Sequence, residues 1–346
     1  MTANHFAKAA LCAGIFIVVF FISWEVYLRK NGVGVAYDDD KPLWAHKRAM
    51  VYEPKAEATV LIGSSRNKYD IDIATWTALT NDHPIQLAIA GNSPLPVLDN
   101  LANDKNFKGK LMIDVTEGLF FTTSPHSLND PKERVNYYKE QTPAQRFGFY
   151  VNAALESKLV MLNKDFYSLN VLFNQLPLKK RKGVFALPCE CPRDFIEVNF
   201  ERQNIMSQKF LVDTTLQNQV KGLWGFYEKI NTEPPADVHK ADSIIATVKL
   251  AVDKIRSRGG EVIFVRTPSS GPYWEGEQHA FPRVKYWDKL LAATTSPGIH
   301  FTDYDEINHF VCPEFSHLSQ QDAIIFTTAL VKILREKHGW VFKKNV

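Results

Sequence analysis

Short apolar runs, each ending at a polar turn and separated by segments of helical spacing, constrain this chain more than any other feature. "TVLIG" (59–63), "IQLAIAG" (85–91), "GKLMIDVT" (109–116) and "EVIFVR" (261–266) read as buried strands, with "GIHFTDY" (298–304) as a further one. "DIATWTALT" and "SPLPVLDNLAND" read as intervening helices, the second with Leu95, Leu98 and Leu101 at helical spacing. "DSIIATVKLAVDKIRSRGG" is an amphipathic helix stopped by Gly259 and Gly260. "HLSQQDAIIFTTALVKILREKHG" closes the chain as a helix, with Ser319 and Asp322 spaced as a capping box. Apolar strands alternating with helices predict an α/β fold, a parallel sheet covered on both faces as a three-layer sandwich.

That rhythm stops near residue 121 and resumes at 241. Residues 122–240 are rich in Phe, Tyr, Asn and Lys and read as a mostly helical insertion, with helices expected over 143–162 and 213–231. The α/β domain is therefore expected to comprise 58–121 and 241–346. Residues 31–57, which include "YDDDKP", read as a connector without a clear hydrophobic period.

Ahead of that connector, Ala9 to Trp24 carry no charge, and Lys8 precedes them while Glu25, Arg29 and Lys30 follow. The run falls slightly short of the ~20 residues of a membrane span, and Val26, Tyr27 and Leu28 extend it. "FISWEVYLRK" offers no small-x-small cleavage site, so residues 1–30 are expected to form an uncleaved membrane anchor. Lysine and arginine are too evenly distributed about it to set its orientation.

Composition narrows the remaining classes. Hydrophobic residues make up 45% and charged residues 23%, as in an ordinary globular protein. A net charge of +3 does not argue for a nucleic-acid partner, and the basic run Lys179-Lys180-Arg181-Lys182 reads as a solvated loop. No C-x-x-C pair occurs, so no metal site is expected. Cys312 either pairs with Cys189 or Cys191 or stays a buried thiol.

Three segments fall just past the C-terminal ends of strands, where an α/β fold builds its sites: "GSSR" (63–66), "AGNS" (90–93) and "CPEFSHLS" (312–319). A serine at a strand-to-helix turn can attack an acyl carbon if a histidine takes its proton and a carboxylate orients that histidine. Glu314 and His317, three residues apart ahead of a helix, suit those two roles. Backbone N–H groups at Ser65 and Gly91 are the candidate oxyanion donors.

These blocks resemble those of the SGNH (GDSL-type) hydrolase superfamily over residues 58–120 and 241–335. "IGSSR" looks like the first block and implies Ser65 as nucleophile. "IAGNS" looks like the second and implies Gly91 in the oxyanion hole. "PEFSHLS" looks like the last and implies Glu314 and His317, with glutamate where the family has aspartate. The third block departs: "IDVTEGLFF" has no asparagine, leaving Thr116 or Asn92 as candidate side-chain donors. The anchor and "GSSR" together are similar to the membrane-anchored, envelope-modifying branch. That resemblance implies a cofactor-free O-acyltransferase or acyl esterase acting on a polysaccharide, a membrane-bound O-acyltransferase as partner, and a body outside the cytoplasm. The missing asparagine leaves a second expectation, a weak or inactive accessory subunit that binds the polymer. Arg66 and Arg266 are candidate anion-binding residues beside the serine. Tyr273, Trp274, Tyr286 and Trp287 form a candidate sugar platform.

Overall fold

The computed structural model describes residues 3–52, 58–164, 191–230 and 238–342, with 171, 173 and 176. The basic run 179–182 and Cys189 lie outside the described residues. The chain divides into two compact units, Met1–Asp38 with Pro143–Val184, and Asp39–Thr142 with Phe185–Val346, so the segment 122–240 contributes to both.

The larger unit is built on a five-stranded, wholly parallel sheet. β1 (Thr59–Ile62), β2 (Ile85–Gln86) and β3 (Lys110–Asp114) come first in sequence. A separate antiparallel pair, β4 (Glu197–Val198) and β5 (Asn204–Ile205), follows within the segment read as helical. β6 (Glu261–Arg266) and β7 (Gly298–His300) complete the main sheet, whose spatial order is β2-β1-β3-β6-β7. Because β2 and β3 flank β1 on opposite sides, the winding reverses at β1, and a crevice opens beyond its C-terminal end.

Alternation along the strands explains the layers, since successive side chains leave opposite faces of a sheet. Val60, Ile62, Leu111, Ile113, Val262 and Phe264 pack on one face with Leu98, Leu101 and Val252 from the Leu95–Asn103 and Val238–Arg256 helices. Leu61, Met112, Ile263 and Val265 pack on the other with Trp76, Phe326 and Leu330 from Ile73–Thr80 and Gln320–His338. All four of these helices match the expected ones. Asp72 and Ser319 cap the second pair, accepting from the N–H groups of Thr75 and Asp322.

Other features of this unit also differ from expectation. β7 stops at His300 because the chain turns into a 3₁₀ segment, Phe301–Asp303, with the Thr302 N–H donating to His300 Nδ1. Residues 41–49, read as connector, form the helix Lys41–Ala49, capped by Asp40, with Leu43, Trp44 and Ala45 buried. Nine residues are too few to display a period. Tyr286 and Trp287 are core residues beneath the sheet, which removes them from any surface platform.

The smaller unit contains the helix Ala3–Lys30, and its His5–Lys30 portion is long and apolar enough to cross a membrane. It also contains the helix Pro143–Glu156 and a 3₁₀ turn at Val160–Leu162, where one continuous helix over 143–162 was expected.

Candidate active site

Gly63 ends β1 beside the end of β3. A Cβ at position 63 would lie 2.5 Å from the Asp114 Cβ, so a side chain there is excluded. The chain then turns into a short helix, Ser65–Asp70, and Ser65 is its first residue. This close turn brings the Ser65 hydroxyl over the tip of the sheet instead of burying it within a strand.

His317 arrives from the loop ahead of the last helix. Its Nε2 lies 2.8 Å from Ser65 Oγ, and its Nδ1 lies 2.9 Å from Glu314 Oε1. The His317 backbone N–H also donates to Glu314 Oε1, at 2.7 Å. With Nδ1 donating to the carboxylate, Nε2 is left to accept the serine proton. Glu314 and His317 are 0% and 2% exposed, so this relay is shielded from water. Between them Phe315 has φ +79°, a left-handed conformation that a bulky residue adopts at a cost on the order of 1–3 kcal/mol. A turn of that shape folds the two side chains back onto each other. The Ser270 N–H donates to the Phe315 carbonyl at 2.9 Å and helps hold it.

The second Glu314 oxygen is taken by the insertion. Trp224, on the Thr214–Ile230 helix, donates its indole N–H to Oε2 at 2.5 Å. Three N–H groups therefore satisfy this buried carboxylate, which would otherwise carry a large desolvation cost. Tyr69, Phe195 and Trp224 surround the imidazole, with ring centroids 4.5, 5.8 and 6.1 Å from that of His317.

Gly91 lies at the same end of the sheet. The Ile89 N–H donates to the Gly63 carbonyl (3.1 Å), continuing the β1–β2 pairing and setting the 90–93 turn beside the serine turn. Gly91 has φ +68°, which glycine adopts freely. The two candidate side-chain donors are both engaged: Asn92 Nδ2 donates to the Ala90 carbonyl at 2.8 Å, and the Thr116 hydroxyl donates to Asp114 Oδ2 at 3.1 Å.

Arg66 and Arg266 are brought together as the sequence suggested, but around a partner it did not reveal. Glu277 bridges them, with Oε1 2.6 Å from Arg66 Nη2 and Oε2 bonded to Arg266 Nη2. Arg266 also donates to Glu117 and Ser269, and all three of its nitrogens are occupied. Burial works against both charges of the Arg66–Glu277 pair. The pairing outweighs it, raising the guanidinium and holding the carboxyl well below its usual range. Of the aromatic residues in that region, Tyr273 stacks its ring near Arg66 and Trp274 lies over Arg266. Cys312 carries a buried free thiol against the Pro268 carbonyl, so it takes the unpaired alternative.

Asp70, at the end of the serine helix, was not singled out from sequence. Its Oδ1 accepts the Leu318 N–H at 2.9 Å, tying the helix that carries Ser65 to the residue after His317. Complete burial pushes its carboxyl up to about 7, with His317 and Arg66 pulling the other way. A carboxyl raised on folding contributes stability that is present below its unfolded value and is lost as pH rises through the folded one. Asp70→Asn retains the acceptor and cannot ionise. It should melt with the wild type near pH 4 and above it at pH 8, by up to about 4 kcal/mol from the size of the shift. Melts at the two pH values check this, and an unchanged difference between them would contradict it.

As a chemical unit, the site holds a hydroxyl whose proton has a nearby acceptor, and an oriented imidazole. Ser65 and Gly91 N–H groups stand at the same strand tips. Among the described residues, no cluster of His, Cys, Asp and Glu is arranged to hold a metal ion. Compared with known proteins, the chain matches no family model and no curated protein.

Proposed function

We propose that this chain is a serine acyl-transfer enzyme of the SGNH type, held at a membrane by its N-terminal helix. The observation that carries the reading is the unbroken relay from Glu314 through His317 to Ser65, with 2.9 and 2.8 Å links. In the reaction, Ser65 Oγ attacks the carbonyl carbon of an acyl ester while His317 Nε2 takes its proton. Ser65 and Gly91 N–H groups stabilise the oxyanion, and Glu314 stabilises the imidazolium. Collapse of the intermediate expels the alcohol, which receives the proton from His317 and leaves an acyl-serine. An incoming hydroxyl, from water or from a sugar, then gives its proton to His317 and takes the acyl group, and His317 returns that proton to the departing Ser65 Oγ. No external acid or cofactor enters this cycle.

The resemblance extends the reading to a polysaccharide acceptor, a membrane-bound O-acyltransferase as source of the acyl group, and a body outside the cytoplasm. A serine-directed fluorophosphonate tests the core of the proposal. It is expected to modify the wild type at Ser65, mapped by peptide mass spectrometry, and an aryl acetate is expected to turn over. A wild-type protein that neither takes the label nor hydrolyses the ester would sink it.

A second reading has its own observation. Asn92 spends one of its two amide hydrogens and Thr116 its single hydroxyl hydrogen within the protein, so neither side chain is held ready for the oxyanion. Loss of one such donor costs about 10²–10³ in rate. A weak or inactive relative that binds the polymer for an envelope assembly fits that deficit. Glycan binding without labelling at Ser65 would select it.

A further inference from the structure

The helix Pro143–Glu156 leaves its apolar stripe uncovered. At about 100° per residue, Phe147, Val151 and Leu155 fall on one side, with Ala144 between them and Gly148 and Ala154 flanking them. That side faces outward: Phe147, Val151 and Leu155 are 71%, 45% and 47% exposed. The opposite side carries Gln145 and Asn152, both exposed, the half-buried Phe149, and Glu156, which is buried and accepts from Asn152 at 2.8 Å. A helix packed on a protein in water buries its apolar stripe and solvates its polar one. Here the apolar stripe is left outside and the one buried residue of the helix is the polar Glu156, an arrangement that suits an apolar medium against the outer face.

The surroundings name that medium. Glu25 and Arg29 lie in the last turns of the membrane-length helix, where its apolar run has ended. Both grip the chain just after Glu156. Glu25 accepts from the N–H groups of Val160 and Met161 at 3.0 Å each, and Arg29 donates to the Lys158 carbonyl at 2.6 Å. Charged residues at the end of a span sit at the headgroup level, since their cost rises steeply with depth. The tether therefore holds the C-terminal end of Pro143–Glu156 at the level where a span leaves the hydrocarbon. We infer that Pro143–Glu156 is an interfacial helix, lying on the same bilayer with Phe147, Val151 and Leu155 inserted at the headgroup–acyl boundary. Lipid is the occupant because the chain just after this helix is bonded to the end of the helix that would enter the bilayer. This inference rests on reading His5–Lys30 as a membrane span.

The test uses the full chain in lipid nanodiscs, with Cys12, Cys189 and Cys191 replaced by serine. A nitroxide is attached in turn at Phe147→Cys, Val151→Cys and Leu155→Cys. Ile15→Cys serves as the bilayer control and Leu250→Cys, on an exposed helix face of the other unit, as the water control. Oxygen partitions into lipid and a nickel chelate into water, so the ratio of their relaxation effects reports depth. Labels at 147, 151 and 155 are expected to favour oxygen, as Ile15 does, at shallower depth. Nickel access equal to that of Leu250 while Ile15 stays in lipid would overturn the interfacial assignment alone. Low access to both reagents would mean that protein covers the face, and would overturn it equally. A water-exposed Ile15 would instead remove the span on which the inference rests.

Discussion

Ser65→Ala and His317→Gln should each lower aryl-acetate turnover by about 10⁴–10⁶-fold, and the double variant should be no slower than either single one. The reason is the 2.8 Å contact between Ser65 Oγ and His317 Nε2. A serine hydroxyl is a poor nucleophile until its proton has somewhere to go, and the imidazole has no task without that proton. Two groups acting as one unit lose their whole contribution when either is removed. Losses that multiplied in the double variant would mean separate roles and would end the relay interpretation. Thermal melts keep folding apart from chemistry. Ser65 is a small, half-buried side chain at a helix start, so its alanine variant should melt close to the wild type. Residual turnover above the uncatalysed rate is expected in all three variants, because the Ser65 and Gly91 N–H groups survive the substitutions.

The parts of this site that could be read in the sequence are those encoded locally. "GSSR" follows an apolar strand directly, and Glu314 and His317 are three residues apart ahead of a capped helix. Each pattern specifies a turn that needs no distant partner to define it. The sheet was legible for the same reason, because a buried parallel strand is an uninterrupted apolar run wherever it occurs. β2 is shorter than "IQLAIAG" suggests, since past Gln86 the run continues beside β1 only through single hydrogen bonds to Leu61 and Gly63.

What escaped the sequence was contributed from far along the chain. Trp224 reaches Glu314 from a helix 90 residues away, and nothing near Trp224 distinguishes its indole from any other aromatic residue on an amphipathic helix. The same holds for Asp39, which gathers Lys68, Arg134 and Arg202 into one buried ionic cluster. Burial raises the Asp39 carboxyl, but the three cations together hold it well below its usual range. Read singly, those four residues look like ordinary surface charges. Only the fold makes them one unit, and it does so by pinning the segment before the Lys41–Ala49 helix against the helix that starts at Ser65.

Glu277 is the most consequential of these unannounced residues, and Glu277→Gln should destabilise the protein by about 3–5 kcal/mol at pH 7. Its two oxygens serve Arg66 and Arg266, both almost wholly buried, and Oε2 also accepts from the Ser269 hydroxyl at 2.7 Å. Glutamine is nearly the same size but offers one acceptor oxygen, and its amide would turn N–H groups toward the other guanidinium. Two buried cations would then share Glu117, which already pairs with Arg266 at 3.2 Å. The effect has a definite pH signature. Arg266 and Arg66 outweigh the cost of burial and depress the Glu277 carboxyl to about 2. Its contribution is therefore fully present above its unfolded value near 4.5 and is lost as pH falls toward 2. Wild type and variant should differ most in melts at pH 6–7 and converge steadily below pH 4. Equal melting at pH 7 would show that solvent or rearrangement satisfies the two arginines and that the bridge is dispensable. Because Arg66 follows Ser65 directly on the same short helix, a weakened bridge should also loosen the serine. Glu277→Gln protein that is still folded at low temperature should then lose turnover and phosphonate labelling together, although Glu277 belongs to no step of the proposed reaction.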